Sequence, residues 1–184
     1  MSSNSWNQTL ISAQVAGSAL TAAAAASALP AAAKFTFPAN LLKIGDKLQV
    51  KAAGIISCAV TTPGTARFDV RFGSAVVFDS AAMNLNVVAK TNVPWWVDIE
   101  MVVRSIGAST SATIWGQGIF ASEAVVGSAA PSAGSSGILL MPGSSVGVGT
   151  GFDSTISNVI DFFFTQTVAT GSMTLEQYEL IYKT

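Results

Sequence analysis

Trp96-Val-Asp-Ile-Glu-Met-Val-Val-Arg104 is the stretch that decides the fold class. Val97, Ile99, Met101 and Val103 alternate with Asp98, Glu100 and Arg104. Successive side chains of a strand point to opposite faces, so one face of this run suits a core and the other suits water. The same period recurs outward from it. In Ala66-Arg-Phe-Asp-Val-Arg-Phe72, Phe68, Val70 and Phe72 alternate with Arg67, Asp69 and Arg71. Leu48 and Val50 alternate with Lys47, Gln49 and Lys51, and Ile160, Phe162 and Phe164 lie opposite Asp161, Phe163 and Thr165.

Turn residues separate these runs. Thr61-Thr-Pro-Gly-Thr65 places Pro and Gly as a tight turn requires, and Gly73 ends the run that precedes it. Pro94 is expected to open the long strand. Thr113 to Val126 reads as one further strand, with Gly116 and Gly118 suggesting a bulge or bend. Gly127 to Gly137 holds only Gly, Ser, Ala and Pro and reads as a surface loop. A last strand runs from about Met173 to Tyr182, giving roughly eight to ten strands in all. No helical period competes. The expected fold is all-β, an antiparallel β-sandwich of jelly-roll type, with an open barrel as the alternative.

Residues 1–32 differ from the rest. They carry no charge and include Ala22 to Ala26 without interruption. They are expected to form an Ala-rich N-terminal arm, with the sandwich domain spanning 33–184. The arm reads either as a fraying terminus or as an extended segment that orders on a neighbouring subunit.

Half of the 184 residues are hydrophobic but only 10% are charged, against about 25% in an ordinary globular protein. A polar but weakly ionic surface favours association, so much of it is expected to be covered by copies of the chain or by a partner. Nine Lys plus Arg against ten Asp plus Glu give a net charge of −1, with no basic stripe to attract nucleic acid. The first charged residue is Lys34, so no positive region precedes the Ala-rich stretch as a secretion signal requires. No run of about 18 strongly apolar residues indicates a membrane span.

The chemistry available is narrow. There is no His and only one Cys, which removes the commonest general base, the commonest metal ligand and any intrachain disulfide. Asp98 and Glu100 would sit about 7 Å apart on one strand face, a separation inverting glycosidases use, but nothing in the sequence raises either pKa and they read as a solvated face. Gly116-Gln-Gly118 and Gly147-Val-Gly-Thr-Gly151 lack the basic residue that a phosphate-binding loop requires. Asp153 in Phe152-Asp-Ser-Thr155 reads as a turn cap, a metal role with Asp161 having no support in the spacing. Cys58 reads as a small buried apolar residue. No catalytic residue, cofactor or metal is expected.

Trp95, Trp96 and Trp115 are candidates for an interaction platform, because Trp is enriched where proteins meet ligands and partners. Neighbours in a strand, Trp95 and Trp96 must face opposite ways, one to the core and the other to the surface. With the apolar residues of the arm, the candidate interface set is Trp6, Leu10, Leu20, Leu29, Trp95, Trp96 and Trp115. Arg67 and Arg71 would pair with Asp98 and Glu100 if their strands were neighbours.

Several segments together resemble a recurrent pattern in structural proteins of tailed-bacteriophage virions. They are Leu29-Pro, Pro38-Ala-Asn, Gly45-Asp-Lys-Leu-Gln-Val, Gly54-Ile-Ile-Ser, Thr62-Pro-Gly-Thr, Arg67-Phe-Asp-Val-Arg-Phe-Gly73, Pro94-Trp-Trp-Val-Asp-Ile, Arg104-Ser-Ile-Gly107 and Gly151-Phe-Asp-Ser-Thr. They cover most of residues 29–170. The resemblance implies a non-enzymatic particle protein of jelly-roll type. Trimeric capsid decoration (cement) proteins are a subset it fits, with the chain itself and the major capsid protein as partners and the capsid surface as location, after assembly in the host cytoplasm. A tail, neck or fibre component and a carbohydrate-binding β-sandwich module are the alternatives.

Overall fold

In a computed structural model, the structure describes residues 6–59, 62–128, 137–143 and 147–184. Thirteen strands occur among them: β1 (Asn7–Ser12), β2 (Ala26–Ser27), β3 (Phe35–Phe37), β4 (Lys47–Cys58), β5 (Thr65–Phe72), β6 (Ala75–Asp79), β7 (Met83–Leu85), β8 (Lys90–Ser105), β9 (Thr113–Ala121), β10 (Val125–Ser128), β11 (Ile138–Met141), β12 (Asn158–Gln166) and β13 (Ser172–Lys183). One 3-10 turn, Ala31–Ala33, is the helical element among the described residues. Six strands form one sheet in the order β1-β13-β4-β8-β9-β11. The other has seven, with β10-β7-β5-β12-β2 in a row, β3 beside β12 and β6 beside β5. Every pairing between named strands is antiparallel, and the two sheets pack face to face as an all-β sandwich.

The alternating runs bury the side chains they were expected to bury. Leu48, Val50, Phe68, Val70, Val97, Ile99, Met101, Ile160, Phe162 and Phe164 are inaccessible to solvent or nearly so. Phe68 is central: its ring stacks on Phe162 at 5.2 Å and meets Trp95, Phe120 and Phe164 at 5.2–5.3 Å. Aromatic pairs at such separations contribute about 0.5–1.5 kcal/mol each beyond the area they bury.

Four expectations are corrected. The Thr113–Val126 run is two strands in different sheets. The Ser122 hydroxyl donates to the Pro94 carbonyl at 2.9 Å and accepts from Ala124 N at 3.2 Å, which turns the chain out of one sheet and into the other. Gly116 and Gly118 mark no bulge, since the β8–β9 register shifts only between Val103 and Ser105. They are glycines because a Cβ at 116 would lie 2.7 Å from the Phe78 ring, and one at 118 would lie 2.5 Å from the Asp98 carbonyl. β8 begins at Lys90, four residues before Pro94. The proposed pairing of Arg67 and Arg71 with Asp98 and Glu100 does not form, because β5 and β8 belong to opposite sheets. Arg67 pairs instead with Asp79, and Arg71 with Asp69. Most of the Gly127–Gly137 loop lies outside the described residues.

The Ala-rich segment lies along its own sandwich. β1 pairs with β13. The backbone then continues beside β13, with Ala13 N on the Tyr178 carbonyl, Gly17 N on the Leu175 carbonyl and Leu20 N on the Met173 carbonyl, at 2.8–2.9 Å. Residues 21–25 are exposed as the chain crosses to the other sheet. There β2 pairs with β12, Ala28 N reaches the Phe162 carbonyl at 2.8 Å, and Ala28 and Leu29 are buried. The segment thus spans the side of the sandwich between β13 and β12. Its small residues permit the close approach: a Cβ at Gly17 would lie 2.2 Å from the Ala28 carbonyl oxygen.

Candidate interaction face on the six-stranded sheet

The outward side chains of β4, β8, β9 and β11 form a grid whose rows follow the register. One row is Ala53, Trp96, Ala121 and Ile138; the next is Lys51, Asp98, Ile119 and Leu140. Then come Gln49, Glu100 and Gln117, and finally Lys47, Val102 and Trp115. Residues opposite one another across strands lie about 5 Å apart, and diagonal neighbours remain within reach of long side chains. Two diagonal contacts order the polar centre. Gln49 Nε2 donates to both carboxylate oxygens of Asp98, at 2.7 and 2.9 Å. Lys47 Nζ donates to Glu100 Oε1 at 3.0 Å. Ile119 and Leu140 supply an apolar flank, and Trp115 lies at the far corner with the Arg104 guanidinium 5.6 Å from its ring.

These side chains enclose a groove of about 460 Å³ lined by Lys47, Gln49, Trp96, Asp98, Glu100 and Gln117, with Trp115 at its end. A second groove of about 380 Å³ lies on the other side of Trp96, lined by Ser12, Lys51, Ala53, Gln177 and Glu179. Trp96 is therefore a ridge between two shallow, partly polar grooves on one sheet face. Its cross-strand neighbours, Ala53 and Ala121, are too small to cover it.

The candidate interface residues separate into groups. Trp95 is 2% exposed and Trp96 43%, so Trp96 is the one of the pair that faces outward. Trp95 and Leu29 are core residues and have no outer surface to offer. The Trp95 indole N–H donates to the Ile55 carbonyl at 3.2 Å, which satisfies its one polar group inside the sandwich. Leu10 and Leu20 are partly buried against the core. Trp6 is well exposed at the start of the segment, and its carbonyl accepts from Thr184 N at 3.1 Å. Of the seven, the grid brings together only Trp96 and Trp115.

Lys47, Gln49, Gln117, Ile119 and Leu140 had not been singled out. The alternation of Lys47 to Lys51 marked Lys47 and Gln49 as opposite the core side chains, but only the register shows that all five converge on Asp98 and Glu100.

A second exposed apolar group lies at one end of the sandwich. Gly45 N donates to the Val103 carbonyl, and Gly107 N to the Ser154 hydroxyl, which gathers three loops at that end of β8. Ile44, Ile106 and Ile156 project from these loops, 66%, 45% and 55% exposed. Asp153 is held there by hydrogen bonds from the Thr155 hydroxyl at 2.6 Å and from Ser109 N and Thr155 N at 2.8 Å. Those bonds keep its carboxyl below the usual carboxylate range, Thr155 contributing most. They are the bonds of a turn cap, as its sequence context suggested. Among the described residues no three His, Cys, Asp or Glu side chains are grouped to hold a metal ion. No helix among them is long and apolar enough to cross a membrane.

No family model and no curated protein matches the chain. Among solved structures it is similar to the CBM2 module of the evolved Dit of Lactobacillus casei BL23 phage J-1. The two are 12% identical, the likeness covers 82% of this chain and 68% of that one, and the TM-score is 0.30.

Proposed function

We propose that this chain is a non-enzymatic structural protein of a tailed-phage particle. In this reading it is a decoration protein that binds the assembled head as a homotrimer and contacts the major capsid protein. The observation that carries the reading is the set of large aliphatic side chains held outward by ordered loops, Ile44, Ile106 and Ile156, on a chain with few charges. Single exposed apolar residues are ordinary, but a group of them at one end of a weakly ionic domain suits a surface that another molecule covers. The resemblance of residues 29–170 to virion structural proteins supplies the particle.

Such a protein needs no chemistry. Binding to the assembled shell and not to its free subunits stabilises the shell by mass action. Three copies held together let three weak contacts act at once, so each contact can be modest. A tail or neck component would use the same kind of surface at far lower copy number.

Two measurements test the reading. Light scattering of the purified full-length chain is expected to give three times the 18.8 kDa chain mass; a monomer at all concentrations would remove the avidity argument. Ile44→Glu with Ile156→Glu is expected to abolish co-sedimentation with heads lacking the protein while leaving the melting temperature within a few degrees. Undiminished binding of that variant would exclude this end as the contact.

A further inference from the structure

We propose that the grid on the six-stranded sheet is a binding site for a neutral oligosaccharide, with Trp96 as the platform on which a sugar ring stacks. The inference rests on that face alone and does not depend on where the chain resides.

Three features point to this ligand class. The first is the setting of Trp96. Flanked by Ala53 and Ala121, its ring makes no aromatic or cation–π contact among the described residues, and a groove opens on each side of it. A flat apolar ring standing clear of its neighbours suits the C–H face of a pyranose. The second is the chemistry beside it. Asp98, Glu100, Gln49 and Gln117 offer planar acceptors and donors on adjacent strands, the arrangement that vicinal hydroxyls, each a donor and an acceptor, can bridge. Gln49 and Lys47 fix the two carboxylates from the neighbouring strand, so the acceptors are oriented before a ligand arrives. A site that is part apolar wall and part convergent polar groups is the usual form of a small-ligand site.

The third feature is charge. The first groove holds Lys47 against Asp98 and Glu100; the second holds Lys51 against Glu179. Neither has a surplus of cations, which disfavours phosphorylated, sulfated or sialylated ligands. The row from Glu179 through Lys51, Asp98 and Ile119 to Leu140 crosses four strand gaps, about 19 Å at ~4.8 Å each. That is room for several rings in the row that runs beside Trp96.

The test uses the full-length protein and a panel of maltohexaose, cellohexaose, chitohexaose and a sialylated hexasaccharide, read by calorimetry and by tryptophan fluorescence. At least one neutral member is expected to bind and to change the fluorescence, and the sialylated one is not. Trp96→Ala is expected to weaken binding at least tenfold, about 1.4 kcal/mol, at unchanged melting temperature and unchanged mass by light scattering. Asp98→Asn, which keeps shape and one acceptor, is expected to weaken it less. Three results would overturn the proposal: no neutral member binding at millimolar concentration, Trp96→Ala binding as the parent does, or Trp96→Ala lowering the oligomer mass. The last would make this face a contact between copies. None of the three alters the copy number in particles or the behaviour of the Ile44 and Ile156 variant, so this site and the particle reading fail separately.

Discussion

The two outer faces of the sandwich are built from the same alternating pattern and end differently. On the seven-stranded sheet most polar side chains meet a charged or hydroxyl partner, although Arg67 Nε is buried without one among the described residues. Lys34 Nζ lies 2.6 Å from Asp161, whose other oxygen accepts from the Ser27 hydroxyl at 2.7 Å. Arg67 pairs with Asp79 and Arg71 with Asp69, and the Arg71 guanidinium lies 3.8 Å from the Phe163 ring centroid. On the six-stranded sheet the one ion pair of the grid, Lys47–Glu100, is half exposed on both sides, at 52% and 50%, against 30% and 11% for Lys34–Asp161. Trp96, Ile119, Ile138 and Leu140 beside it are left uncovered. The Asp161 cluster is shielded by the chain itself, with Val126 and Val159 the 39% exposed apolar residues of that sheet; the six-stranded face carries ordered polar groups beside a larger set of bare apolar ones.

The contrast can be broken most severely at the segment that helps to finish the first face. Removing residues 1–29 deletes β1, β2, the buried Ala28 and Leu29, and the backbone bonds to β13 and β12. A loss of more than about 4 kcal/mol is expected, read by urea denaturation. Unchanged stability would mean that the segment is an appendage, as its composition first suggested.

A smaller effect is expected at Asp161. Replacing it with Ala leaves Lys34 and the Phe162 N–H without their acceptor in a mostly buried place, at about 2–4 kcal/mol. The matching change on the open face, Glu100→Gln, is expected to shift stability by less than about 0.5 kcal/mol, because exposed pairs contribute little. Equal losses at the two sites would erase the distinction between the faces.

The core between the faces gives a change of opposite sign. The Tyr178 hydroxyl is buried with no hydrogen-bond partner among the described residues, and burial pushes its pKa well above the usual tyrosine range, with Asp161 adding to the shift. Tyr182 is raised as well, by burial and then by its bond to Asp46. A folded-state pKa above the unfolded value means stability that is whole below about pH 10 and falls as pH rises from there toward the folded pKa. Tyr178→Phe is expected to gain up to about 1 kcal/mol at neutral pH and to soften the alkaline loss, read as melting temperature against pH. A clear loss on Tyr178→Phe would show that the hydroxyl has a partner.

Much of this was legible in the sequence, for a physical reason. A strand with one buried face must alternate, so β5, β8 and β12 declared themselves, and with them the all-β class. The opposite facing of Trp95 and Trp96 followed from the same geometry, though not which of them lies inside. What was hidden depends on distant partners. The break between β9 and β10 hangs on Ser122 reaching Pro94. The ion pairs of Arg67 and Arg71 depend on which sheet each strand joins. The uncharged first 30 residues show little periodicity, because they attach chiefly through their backbone. The grid is a matter of register: Gln49 and Asp98 are 49 residues apart, and nothing local brings them together.

A particle protein of the kind proposed above, with uncovered surfaces that meet other molecules, must be present in purified particles at a definite copy number. Quantifying the chain against the major capsid protein in purified phage particles is the decisive measurement for the proposed particle role. Hundreds of copies per particle are expected. A handful would place the chain in the tail or neck, and its absence from the particle would contradict the account.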